Sequence, residues 1–166
     1  MIILTATAGL LLVGGPSWFH YEQKHAMGIA HPFTVGDASV PRRVLIATQH
    51  SAFKDTLVAG LIAYLKPHSV YVQVIDISDL PQIHEDQWTA IVVLHTWQFG
   101  KPPSVVPAFI DHTRDRRKLV VLTTSGSGRA RLAGVDAISS ASVDRDVPTR
   151  LMEIIPKLDG LLGSSK

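Results

Sequence analysis

The pattern of apolar and polar positions changes character at Arg42. Upstream, "MIILTATAGLLLVGGPSWFHY" carries no charged residue from Met1 to Tyr21. Downstream, short apolar runs alternate with stretches of helical period. "RRVLIATQ" reads as a buried strand, after which Phe53, Leu57, Val58, Leu61, Ile62 and Leu65 recur along one helix face. Ser51 is placed to cap that helix and Pro67 to stop it. "SVYVQVIDI" is a second strand, rich in β-branched residues, and "SDLPQIHEDQ" is too short for a long helix. "WTAIVVLHTW" is a third strand whose unbroken apolar run suits a strand covered on both faces. "PPSVVPAFIDHTRDRRK" predicts a helix opened by prolines and closed by cations. "LVVLTTSGSG" is a fourth strand running into a glycine–serine loop, and "GVDAISSAS" a short fifth. The closing segment, "SVDRDVPTRLMEIIPKLDGLLG", puts Leu151, Ile154, Ile155, Leu158 and Leu161 on one face, with Pro156 predicting a kink or a break.

Strands alternating with helices predict an α/β domain over residues 42–166, a doubly wound five-stranded parallel sheet with helices on both faces. Residues 22–41 mix Gly, Pro and polar side chains without a period and read as a linker. The chain has 166 residues, enough for one such domain plus an extension.

Composition sharpens the reading of that extension. Apolar residues make up 46% of the chain, an excess concentrated in residues 1–21. A bilayer requires roughly 20 apolar residues. Trp18, Phe19 and Tyr21 fall where an interfacial aromatic belt lies, and the first positive charges, Lys24, Arg42 and Arg43, follow the run. Residues 1–21 therefore predict an anchor in the inner (cytoplasmic) membrane with the domain facing the cytoplasm. The other reading is a helix docked on a partner in a cytoplasmic protein. A net charge of +2 argues against nucleic-acid binding by the chain as a whole. The absence of cysteine excludes disulfides and thiol chemistry. His20, His25 and His31 share no helix or strand face, so no metal site is expected.

In a doubly wound sheet, ligands bind outside the carboxyl ends of the strands. Three loops sit there. After the first strand, Thr48, Gln49, His50, Ser51, Ala52 and Phe53 lead into a helix N-terminus, whose free N–H groups favour phosphate; Ser51 as a plain helix cap is the competing reading. After the third, Thr96, Trp97, Gln98, Phe99 and Gly100 carry two aromatics, which either stack on a planar ligand or close the core at the sheet rim. After the fourth, Thr124, Ser125, Gly126, Ser127 and Gly128 form either an anion nest or a surface loop. No nucleophile elbow surrounds His50–Ser51, and no catalytic residue is assigned.

Together the three loops resemble the flavodoxin-like family, of the FMN-binding flavodoxin or NAD(P)H:quinone reductase type. "ATQHSAF" is similar to the family's phosphate loop at Ala47 and Thr48. It is a degenerate version, with Ser51 where glycine is expected, Ala52 where serine is and Phe53 where threonine is. Thr96, Phe99, Gly100, Phe109, Ile110 and Asp111 resemble the family's second loop and the helix after it, and "LTTSGSG" resembles its third loop. The resemblance spans roughly residues 42–141 and implies strand order 2-1-3-4-5. It also implies FMN, with its phosphate on the first loop and its ring between the second and third. The implied activity is electron transfer or quinone-type reduction by an FMN-dependent oxidoreductase, with a quinone or a redox protein as partner. The altered phosphate loop sustains a second reading, a binding or assembly module that has lost the flavin.

Overall fold

A computed structural model describes residues 27–163. Six strands and three α-helices alternate: β1 (Phe33–Val35), β2 (Arg43–Thr48), α1 (Ala52–Leu65), β3 (Tyr71–Asp76), β4 (Ala90–Thr96), α2 (Val105–His112), β5 (Leu119–Thr124), β6 (Ala137–Ser140) and α3 (Val147–Leu162). Short 3-10 turns at Ile77–Gln82 and Glu85–Gln87 stand between β3 and β4 where a doubly wound fold ordinarily has a helix.

The strands form one sheet in the order β1-β3-β2-β4-β5-β6. β2 to β6 are parallel, and β1 pairs antiparallel with β3. The five-stranded expectation is thus corrected to six. Counted alone, the parallel strands run 2-1-3-4-5, and the additional strand lies inside the stretch expected to be a linker. β1 carries little sequence signal because it has only three residues, Phe33, Thr34 and Val35, and little of it is buried.

Side chains alternate across the pleat and divide the core in two. Val44, Ile46, Val92, Leu94 and Leu122 face α1 and α3, packing with Leu57, Leu61, Ile154 and Leu158. Leu45, Ala47, Ile91, Val93 and Val121 face the opposite way, onto Leu80 of the 77–82 turn and Val106, Phe109 and Ile110 of α2. Fully burying each Leu or Ile contributes roughly 1.5–3 kcal/mol, which explains why the parallel strands read as continuous apolar runs.

The helices differ from expectation at two points. α2 ends at His112, where Thr113 Oγ1 donates back to Phe109 O at 2.8 Å. The cations Arg114, Arg116, Arg117 and Lys118 therefore lie beyond the helix rather than in its last turn, and Asp115 takes Arg117 at 2.8 Å. α3 runs unbroken through Pro156. The carbonyl that Pro156 leaves without its helical donor belongs to Met152, a residue on the exposed side of the helix. Among the described residues no helix is long and apolar enough to cross a membrane. The expected anchor, Met1–Tyr21, lies outside them.

Candidate functional site

The three loops meet at the carboxyl edge of the sheet, and the first is held shut by its neighbours. Thr48, buried, ends β2. The Gln49 side chain turns inward, its Oε1 accepting from Thr96 N at 2.8 Å and joining the first loop to the second. The backbone of His50 is paired with Gly28: Gly28 N donates to His50 O at 3.1 Å and His50 N to Gly28 O at 2.8 Å. Ser51 caps α1, its Oγ accepting from Lys54 N at 3.3 Å. Ala52 is exposed, whereas Phe53 belongs to the core beneath α1.

Segment 27–30 lies over this loop as a strap. Besides the Gly28–His50 pairing, Ala30 N donates to Asp76 Oδ2 at 2.7 Å, fastening the strap to the end of β3. Gly28 fits because it has no side chain, since a Cβ there would lie 2.7 Å from His50 Cδ2. Met27 closes over Lys54, with 3.3 Å from Lys54 Nζ to its Sδ.

Lys54, one turn into α1 from the first loop, is neither a surface charge within reach of a phosphate nor a solvated side chain, being 0% exposed. Its ammonium donates to Thr96 Oγ1 at 2.5 Å, and that hydroxyl lies 2.7 Å from Thr124 Oγ1. Burial lowers its pKa to about 8, only partly opposed by the charge of Asp55. A signal was present, because Lys54 lies three and four positions before Leu57 and Val58, on the apolar stripe itself.

The second loop is a two-residue hairpin. Trp97 N donates to Thr124 O at 2.8 Å, and Gln98 and Lys101 exchange backbone bonds of 2.9 and 3.0 Å. Phe99 and Gly100 both have positive φ, 50° and 73°, as a type I′ turn requires. Glycine adopts that conformation freely, whereas for phenylalanine it costs about 1–2 kcal/mol. Phe99 is 70% exposed at the tip.

The third loop folds on itself. Ser125 N donates to Ser140 O at 3.1 Å, Gly128 N to Ser125 O at 3.0 Å, Arg129 N to Ser127 Oγ at 3.3 Å and Ala130 N to Ser125 Oγ at 3.4 Å. Those four N–H groups are engaged within the loop or with β6 instead of converging on an anion. Gly126 has open space where a Cβ would stand, while Gly128, at φ 67°, lies close against Ala141.

Beneath these loops, on the α2 face of the sheet, is a second buried polar group. His95 and Thr123 are register neighbours on β4 and β5, both 0% exposed. Both ring nitrogens of His95, the Thr123 hydroxyl and the Trp97 indole nitrogen have no hydrogen-bond partner among the described residues. Burial, the larger cause, and the Lys54 charge lower the His95 pKa to about 4, so the ring is neutral at pH 7. Among the described residues no group of acidic and histidine side chains is arranged to hold a metal ion.

No protein-family model matches the chain, and no curated protein does. Among solved structures it is similar to a metal-soaked flavodiiron core from Synechocystis sp. PCC6803, with a TM-score of 0.55 and 13% identity. That likeness covers 75% of this chain and 36% of the other, so the chain corresponds to about a third of that protein's length. It also aligns with an oxidoreductase from Corynebacterium diphtheriae, covering 76% of this chain and 100% of that one at 12% identity. The TM-score there, 0.47, is too low to carry weight. The likeness to the flavodiiron core is one of fold and, with the order of the parallel strands, supports a flavodoxin-like architecture.

Proposed function

We propose that this is a flavodoxin-like binding or assembly module in which the chain itself fills the place of a flavin phosphate. The observation that carries this reading is the Gly28–His50 backbone pairing over the first loop. A phosphate at that loop needs N–H donors pointing outward. Here the His50 N–H is spent on Gly28 and the Lys54 N–H on Ser51. The Lys54 ammonium is spent on Thr96 below the surface. The third loop supports the same reading, since four of its N–H groups are bonded internally or to β6.

Electron transfer or quinone-type reduction through FMN is the second reading, favoured by Phe99. A large aromatic held at φ 50° on the carboxyl edge of the sheet is strained, and strain of that kind accumulates at ligand-binding positions. In this reading the ring would lie between residues 96–100 and 124–128, and the chemistry would be the flavin's own. A quinone or redox-protein partner belongs to this reading alone. A membrane position through Met1–Tyr21 is compatible with both.

Titration of FMN fluorescence with full-length protein separates the two. The module reading expects no quenching at micromolar protein and no flavin absorption in protein purified from flavin-replete cells. Saturable quenching at one FMN per chain overturns it and establishes the second.

A further inference from the structure

We propose that the groove between the 77–87 turns and α2 binds a small amphipathic amine, its apolar body on Leu80, Ile83, Val105 and Phe109 and its ammonium on the Glu85 carboxylate. The groove exists because 3-10 turns replace the helix that ordinarily follows β3, leaving the flank of α2 only partly covered. Its volume is about 550 Å³, within the range of small-molecule sites. Leu80 and Phe109, both buried, and the half-buried Ile83 and Val105 give it apolar walls.

Glu85 supplies the polar anchor. Its Oε1 accepts from Arg114 N at 3.0 Å, which fixes the carboxylate against the end of α2. Its Oε2 is buried and has no hydrogen-bond partner among the described residues. A desolvated carboxylate oxygen without a donor is costly, and turning the carboxylate so that Oε2 meets a ligand ammonium at the groove wall removes that cost with a charge-assisted bond. Around the groove, Glu85 and Asp86 are balanced by Arg114 and by Lys118, whose Nζ lies 3.4 Å from Glu85 O, so the choice of a cation rests on the Glu85 carboxylate itself. His112 forms no ion pair with Glu85 among the described residues, and its Nδ1 is engaged with Ala108 O at 2.7 Å. Glu85 precedes β4 and Arg114 precedes β5, so this end of the groove lies at the amino edge of the sheet, opposite the three loops. The site is independent of whether flavin is bound.

The test uses the full-length protein and three probes of one shape: phenethylamine, 2-phenylethanol and phenylacetate. Backbone NMR shifts should move with phenethylamine at residues 80–86 and 105–114. Its affinity should exceed that of the alcohol by roughly tenfold, the effect of one charge-assisted bond, with phenylacetate weaker still. Glu85→Gln keeps the side-chain shape and should erase the preference for the amine over the alcohol. Ala108→Trp, at an exposed position on the groove wall, should block all three while leaving the unfolding midpoint unchanged. No saturable binding, equal affinities for amine and alcohol, or a preference that survives Glu85→Gln overturns the proposal.

Discussion

The Lys54 ammonium donates to the Thr96 hydroxyl at 2.5 Å in the interior of the protein, with no carboxylate paired to it among the described residues. Its other contact is the Met27 sulfur, a weak acceptor. A buried cation held by neutral groups is destabilising, because two soft contacts do not replace its hydration shell. What the arrangement provides is a tie between the start of α1 and the ends of β4 and β5, through Thr96 and on to Thr124.

Lys54→Met should therefore stabilise the protein at pH 7. The unfolded lysine titrates near 10.5 and the folded one near 8. Below pH 8 both states hold the proton and the penalty is complete. Between pH 8 and 10.5 the folded chain has released a proton that the unfolded chain still binds, so stability rises with pH. The gap corresponds to roughly 3 kcal/mol, less about 1 kcal/mol for the lost hydrogen bond in the variant. Urea unfolding at pH 7 and pH 10 should show the original protein gaining on the variant as pH rises. Parallel pH dependences in the two proteins would show that Lys54 is hydrated.

His95 should oppose acid stability in the complementary window. Its folded pKa of about 4 lies below the ordinary 6.5. Between those values the unfolded chain binds a proton that the folded one refuses, so stability falls as pH drops from 6.5 toward 4. The His95 Cε1 proton should hold a constant NMR shift from pH 8 down to about 5.5. A midpoint near 6.5 would refute the buried, neutral imidazole.

The parallel sheet was readable because its strands are covered on both faces. Runs such as Ala90–Leu94 and Leu119–Leu122 admit few other structures. β1 was not readable, since a three-residue edge strand has one paired side and little apolar signal. Pro156 left a kink and a break both open, and α3 is continuous across it; which of the two a proline causes depends on the packing around the helix, and that is a tertiary fact. At the site, the loops and their order were legible, as was Ser51 as the helix cap. Their closure was not. The inward turn of Gln49 and the strap from Gly28 are contacts between residues 47 and 22 positions apart in sequence, and no local pattern records them.

Gly36→Ala should detach β1 while sparing the rest of the sheet. Gly36 has φ 91°, and a Cβ there would lie 2.5 Å from the Val70 carbonyl oxygen, a backbone atom that cannot step aside. The expected cost is about 1–2 kcal/mol, limited because β1 buries little. Hydrogen exchange should quicken at 33–35 and remain slow in β4 and β5. Unchanged protection at 33–35 would mean the turn has another solution.

Gly28→Val should lift the strap and change the ionisation of a residue it does not touch. The atom in the way is the His50 ring, which is held by Asp55 with 2.8 Å between Nδ1 and Oδ2. An exposed ring can rotate away from a methyl group, so alanine is a weak test, whereas a branched valine adds bulk on two sides. Losing the two backbone bonds between Gly28 and His50 costs about 0.5–1.5 kcal/mol each. Met27 then leaves the Lys54 ammonium and water replaces it. Since burial is the principal cause of the lowered Lys54 pKa, hydration should return it from about 8 toward 10.5. A 13C NMR titration of ε-labelled lysine reads this directly, with the resonance assigned by its loss in Lys54→Met. A titration that stays near 8 in the valine variant would assign the dryness of Lys54 to the packing of α1 on the sheet and leave the strap without that role.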